Sequence, residues 1–409
     1  MKWDYIPAEV FCDSVRDGTH NTPKPTNSGY KLVTSKHIKE GRIDPSDAYY
    51  ISEEDYNEVN KRSLVEQWDV LLSMVGTVGE VALVKEVPDY AIKNVALFKC
   101  GGSELKGRWL CYYLTTPTAK AHMFGNQRGS SQQFISLSQL RKMPILTSDT
   151  NYMKTVVRTL SAYDDLIENN RKQIKLLEEA AQRLYKEWFI DLRFPGHENT
   201  PIIDGVPEGW KRVTLGDIEC TLETGSRPKG GIDMTLKEGI PSIGAENVIG
   251  LGKYNFSAEK YITREFFLGM ARGIVKNRDI LIYKDGAYIG RTSLFQDGFP
   301  HKDATVNEHV YLLHAKNETL QYYLFLTLYQ KEYFYKMQSL NKNAAQPGLN
   351  TRSLKSLDVM LPSADTITAF DRFIRPIMNL IFALSRQCRC LELARDYLLP
   401  KLMNGELTL

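Results

Sequence analysis

Several polar stretches between apolar runs carry side chains that can do more than face water. In the first half they are Thr19, His20, Asn21 and Lys24; then Ser35, Lys36 and His37; then Asn126, Gln127, Arg128, Ser130, Ser131 and Gln132. In the second they are Ser226, Arg227 and Lys229; then Glu246 and Asn247; then Lys284, Asp285 and Tyr288; then Asn341, Lys342, Asn343 and Gln346. An arginine fork matches the acceptor pair of guanine, Asn and Gln match the donor and acceptor of adenine, and lysine holds phosphate. Simple solvation is the competing explanation for any one of them. The strongest are Gly125 to Gln133 and Asn341 to Pro347, which place Asn, Gln and a basic residue at matching positions of an internal repeat.

Covalent chemistry finds little support. The chain has no GxxxxGK[ST] phosphate loop and no Asn-Pro-Pro-Tyr or Asp-Pro-Pro-Tyr segment, and no paired carboxylates with a following Glu-x-Lys are spaced as a nuclease site would need them. Cys12, Cys100, Cys111, Cys220, Cys388 and Cys390 form no CxxC and have no histidine at ligand spacing, so no metal site is expected. A formal net charge of +3 is too small to argue for a polyanionic partner by itself. The N-terminal residues lack the apolar run of a secretion signal, and the most apolar helix is interrupted by Asp371, Arg372, Arg375 and Pro376. A cytoplasmic protein is expected.

The elements that must position these loops are two long helices and a duplicated α/β (α+β) framework. Steps of three and four residues from Met153 reach Val156, Leu160, Tyr163, Ile167, Asn170, Ile174, Leu177, Ala181, Leu184 and Trp188. Shifted 214 residues, the same steps reach Ile367, Phe370, Ile374, Ile377, Ile381, Leu384, Cys388, Leu391, Arg395, Leu398 and Leu402. Apart from Asn170 and Arg395, every position suits burial, which is the heptad seam of paired helices. Asn170 either fixes the register or faces solvent or another subunit. Arg395 is expected to cover apolar surface with its stem while its head stays in water. Pro376 predicts a kink in a helix that otherwise continues.

The repeat extends beyond the helices. Trp3-Asp4-Tyr5-Ile6 is echoed by Trp210-Lys211-Arg212-Val213, and Asp17-Gly18-Thr19 by Thr224-Gly225-Ser226. Gly29 to Val33 matches Gly239 to Ile243, and Val65 to Leu72 matches Val275 to Ile282. The stretches Asp69 to Val84 and Asp279 to Phe295 read as strand pairs turning at Gly76 with Gly79, or at Gly286 with Gly290. Trp109 to Leu114 and Leu320 to Met337 read as helices. Asp191 to Gly209, with three prolines and three glycines, separates the halves. The expected organisation is a first domain over 1–150, a central helix over 151–192, a linker over 193–209, a second domain over 210–363 and a C-terminal helix over 364–409.

These features resemble the specificity subunits of type I restriction-modification systems. The resemblance rests on Leu184-Tyr185-Lys186-Glu187-Trp188-Phe189-Ile190-Asp191-Leu192-Arg193-Phe194-Pro195-Gly196, on Pro207-Glu208-Gly209-Trp210, on Asp17-Gly18-Thr19-His20-Asn21-Thr22-Pro23 and on Leu399 to Leu407. It covers essentially the whole chain. It implies two target-recognition domains separated by two antiparallel coiled-coil helices with pseudo-twofold repetition, reading an asymmetric bipartite site on double-stranded DNA. It also implies docking of two modification subunits, which would carry S-adenosylmethionine, and of restriction subunits, with no cofactor and no catalysis in this chain. Tyr185 to Phe194 and Asp396 to Leu407 are the expected docking segments, exposed aromatic character at Trp188 and Phe189 favouring a partner there. The alternative is a duplicated coiled-coil scaffold that binds a protein or glycan, and a third reading is a single-chain nuclease or methyltransferase.

Overall fold

The computed structural model describes residues 3–39, 41–76, 78–125, 135–340 and 348–407. The chain divides into two compact units, Met1–Asp165 with Leu391–Leu409, and Leu166–Cys390. Each unit therefore takes in part of both long helices.

The first unit is built on a four-stranded antiparallel sheet in the order Ser14–Asp17, Val95–Lys99, Val70–Ser73, Val81–Leu83. In the second, Cys220–Thr224, Val310–Ala315, Ile280–Tyr283 and Thr292–Leu294 follow the same order. Each unit adds a three-stranded sheet whose middle strand, Tyr30–Thr34 or Ile240–Ile243, has one antiparallel and one parallel neighbour. A two-stranded ribbon completes each set, Asp4–Pro7 with Pro144–Thr147 and Lys211–Thr214 with Asp358–Leu361. The repeat read from scattered residue matches is thus a repeat of topology.

Individual contacts repeat as well. Trp109, fully buried, donates its indole N–H to the Leu146 carbonyl at 2.8 Å. Tyr323, 214 residues on, donates its hydroxyl to the Met360 carbonyl, also 214 residues on. A large ring fills the core while its one polar atom is satisfied by the ribbon backbone, as burial of such rings requires. At the start of each central strand a buried aspartate folds its own turn. Asp69 accepts from the Glu66 N–H at 2.8 Å and Asp279 from the Lys276 N–H at 2.7 Å. The preceding Trp68 and Arg278 both have positive φ, 71° and 66°.

The central helix covers Thr150–Tyr185 and the C-terminal helix Ala364–Met403. In the first unit Tyr152 donates to the Leu402 carbonyl at 2.8 Å, and Arg395 pairs with Asp164 at 2.7 Å. In the second, Asn170 donates to Gln387 at 3.0 Å, and the Trp188 and Phe370 rings stand 5.5 Å apart. Within each unit the partners' numbers rise on one helix as they fall on the other, so the pairing is antiparallel. Of the seam, Met153, Val156, Leu160, Ile167, Ile174, Ala181, Trp188, Ile367, Phe370, Ile374, Ile381, Leu384, Cys388 and Leu402 are buried; Tyr163, Leu177, Leu184, Ile377, Leu391 and Leu398 are half-buried.

Three expectations change. The central helix gives way at Lys186–Ile190 to a π-helical turn. There Trp188 and Phe189 are buried rather than exposed, Phe189 lying 4.7 Å from the rings of both Tyr323 and Phe370. The extra residue of a π turn lets two neighbouring rings enter one core. Their aromatic character is a packing feature and gives no support to a docking surface. The helix predicted over Leu320 to Met337 is two, Gln321–Leu328 and Lys331–Ser339, because Gln330 is extended. Just before the break Tyr329 donates to Glu178 of the central helix at 2.6 Å. As expected, the C-terminal helix continues through Pro376; it stops before Gly405, whose φ is 77° and whose added Cβ would meet Trp3 at 2.8 Å. Finally, the head of Arg395 is held by Asp164 and Asp396.

Candidate nucleic-acid interface

One glycine begins the variable edge of each unit. A Cβ on Gly18 would lie 2.4 Å from the Ile92 carbonyl oxygen, and one on Gly225 would lie 1.5 Å from that of Val306. Only glycine lets the chain leaving the first sheet strand cross so close to the parallel strand of the neighbouring sheet. Two residues past each glycine stand His20 and Arg227, and two past each facing carbonyl stand Asn94 and Glu308. These pairs meet in both units. His20 Nδ1 is 2.8 Å from Asn94 Oδ1, and Arg227 Nε is 2.8 Å from Glu308 Oε1. The framework is the same and the chemistry differs.

Further groups converge on the two edges. In the first unit the other nitrogen of His20 lies 3.0 Å from the buried Asp17, which also pairs with Arg62, and Lys93 donates to Thr22. In the second, Lys284 donates to the Glu308 carbonyl at 3.3 Å and stands 3.8 Å from Asp285. His309 lies 3.0 Å from Asp285 and 3.5 Å from Glu308. The Arg291 guanidinium sits 4.0 Å over the ring of Tyr288, which is half exposed. Arginine forks, amides and an exposed ring are the groups that contact base edges and phosphates.

Residues 207–379 match the family model described as type I restriction modification DNA specificity domain. The chain is similar to the type I restriction enzyme MjaIX specificity subunit of Methanocaldococcus jannaschii, 24% identical over 83% of this chain and 77% of that protein. It is also similar to the putative type I restriction enzyme MjaX specificity subunit of the same organism, 22% identical over 99% and 93%. Its fold is that of the crystallised S subunit of a type I restriction-modification system from M. genitalium, with a TM-score of 0.60 and 16% identity over 98% and 96% of the two chains. Residues 207–379 belong to the type I specificity domain family.

The matched residues lie in the second unit, whose strand order the first unit repeats. The chain's polar loop residues divide into two groups. Thr19, whose N–H donates to the Ile92 carbonyl at 3.0 Å, and His20 stand at the edge of the first unit, and Arg227, Lys284, Asp285 and Tyr288 at that of the second. Asn21, Lys24 and Lys229 are exposed, and Ser226 is half-buried beside Arg227.

The other group serves the framework. His37 and Asn247 occupy one position of the repeat, and both are buried. Thr34 N–H donates to His37 Nδ1 and Gly244 N–H to Asn247 Oδ1, each at 2.8 Å, closing equivalent single helical turns. Burial pushes the His37 imidazole below its ordinary range, against the pull of Asp47. Ser35 is buried and donates to the Asn94 carbonyl at 3.1 Å. His37 Nδ1, Asn247 Oδ1 and Ser35 Oγ are thus engaged with backbone, while His37 Nε2 stands 3.2 Å from Asp47.

Between His37 or Asn247 and the turn's start, Lys36 and Glu246 hold one place with opposite charge. They pair with Asp47 at 3.3 Å and Lys260 at 2.6 Å. Burial raises the Glu246 carboxyl, but the bond from Lys260 and a backbone N–H prevail and hold it below its ordinary value. Asn126, Gln127, Arg128, Ser130, Ser131 and Gln132, with Asn341, Lys342, Asn343 and Gln346, lie outside the described residues. Residue-type reasoning missed Asn94, Arg291, Glu308 and His309. Aligning the junctions after Ile92 and Val306 would have found Asn94 and Glu308.

Proposed function

We propose that this chain is a type I specificity subunit that reads an asymmetric bipartite site on double-stranded DNA, each unit contacting one half-sequence through its loop edge. The observation that carries the reading is one framework built twice with different side chains at equivalent edge positions, His20 with Asn94 and Arg227 with Glu308. Identical scaffolds carrying different hydrogen-bonding groups would select different bases. The central and C-terminal helices hold 36 and 40 residues, each roughly 50 to 60 Å of helical rise, enough to span the ~34 Å between successive major-groove faces.

In this reading the chain supplies an address and performs no chemistry. Two modification subunits would dock on it and bring S-adenosylmethionine, and restriction subunits would join them. The proposed setting is the cytoplasm. Among the described residues no helix is long and apolar enough to cross a membrane. Filter binding and footprinting over a salt series, with the chain assembled with modification subunits, test the reading. Two separated protected patches and a steep loss of affinity with salt are expected. A complex that protects no DNA at low salt refutes it.

A further inference from the structure

We propose that Arg227, held in place by Glu308, reads a guanine in the half-site contacted by the second unit, and that His20, at the equivalent position of the first unit, does not. The inference rests on the DNA-recognition reading and adds to it the base, the reader and the residue that positions it.

Four observations converge. The backbone from which Arg227 projects is restricted, since Gly225 is pressed against the Val306 carbonyl and Pro228 limits the conformations of the residue before it, Arg227 itself. The side chain is 57% exposed, so the guanidinium is within reach of a ligand. Glu308 engages Nε, and the two terminal nitrogens are those that bond guanine O6 and N7 together. Glu308 is itself restrained, its carbonyl accepting from Lys284. A fork held before binding loses less freedom on binding than a loose one.

The first unit shows what the same place looks like without a fork. His20 has both ring nitrogens beside acceptors, Asp17 and Asn94, and offers no parallel pair of donors. Asn94, at φ 54°, contributes an amide rather than a carboxylate. The two edges therefore differ at a defined pair of positions, 20 with 94 and 227 with 308.

The test is binding-site selection from a randomised duplex pool by the full chain assembled with its modification subunits. The wild-type complex should select a guanine in one half-site. Arg227→Ala should abolish that preference, by about tenfold or more, and leave the other positions as they were. Arg227→Lys keeps the charge without the fork and should lose the same preference, which covers a poorly folded alanine variant. Glu308→Gln should weaken the preference, and His20→Arg with Asn94→Glu should introduce a guanine into the other half-site. Unchanged preferences in both Arg227 variants, or an even loss of affinity across all sequences, overturn the inference and make Arg227 a spectator or a phosphate contact. A wild-type complex that selects no motif overturns the recognition reading itself.

Discussion

Asn170, sealed in the seam of the central helix, donates its amide to Gln387 of the C-terminal helix at 3.0 Å. A hydrogen-bonding pair among apolar neighbours fixes how two helices slide past each other, because any shift strands a buried amide. Asn170→Leu is expected to raise stability by about 1 kcal/mol, since Gln387 is exposed and can turn to water. Asn170→Asp buries a charge and should lower it. Urea unfolding at neutral pH measures both, and a destabilised leucine variant would show that the pair contributes more than register.

Gly225 and Gly18 give a graded comparison. Alanine at 225 must displace the Val306 carbonyl from 1.5 Å, and alanine at 18 must displace that of Ile92 from 2.4 Å. Gly225→Ala should cost about 3 kcal/mol or more, and Gly18→Ala less. Thermal unfolding of the two variants checks the order.

Asp279 gives the second unit a pH response. Burial raises its carboxyl from an ordinary 3.8 to about 6, although the Lys276 N–H and His314 oppose the shift. The folded chain then binds a proton more tightly than the unfolded one. Its contribution is full below pH 3.8 and is lost as pH rises through about 6, a loss of roughly 3 kcal/mol. Asp279→Asn should flatten stability between about pH 4 and 6, as denaturant midpoints across that range will show. In the first unit the same strand position, across from the equivalent Asp69, holds Lys99 instead of His314.

Phe189 tests the correction at the end of the central helix. It lies within 6 Å of the rings of Tyr185, Trp210, Tyr323 and Phe370. Phe189→Ala is expected to destabilise the chain by about 3 to 5 kcal/mol. Calorimetry on the isolated subunit decides: an unchanged melting temperature would return Phe189 to the candidates for partner contact.

What the sequence made legible is what periodicity encodes. The seam from Met153 to Trp188 and its copy from Ile367 to Leu402 follow a spacing of three and four, and the strand pairs at Val70 and Ile280 follow their glycines. Where a choice depended on contacts distant in the chain, the sequence was silent. Nothing local marks Trp188 and Phe189 as neighbours in one core, or breaks the helix at Gln330. The polar loops were hardest, because a residue that caps a turn and one that waits for a ligand are drawn from the same types. His37 and Asn247 belong to the first kind, Arg227 to the second by the inference above. Their distinction lies in whether a backbone N–H has already claimed the side chain.

The contact between Gly225 and the Val306 carbonyl, repeated at Gly18 and Ile92, involves main chain alone. Whatever side chains follow two positions later, the wall behind them is unaffected. A lineage can therefore revise which sequence it guards by a few substitutions at the rim, paying nothing in the architecture that holds the rim up.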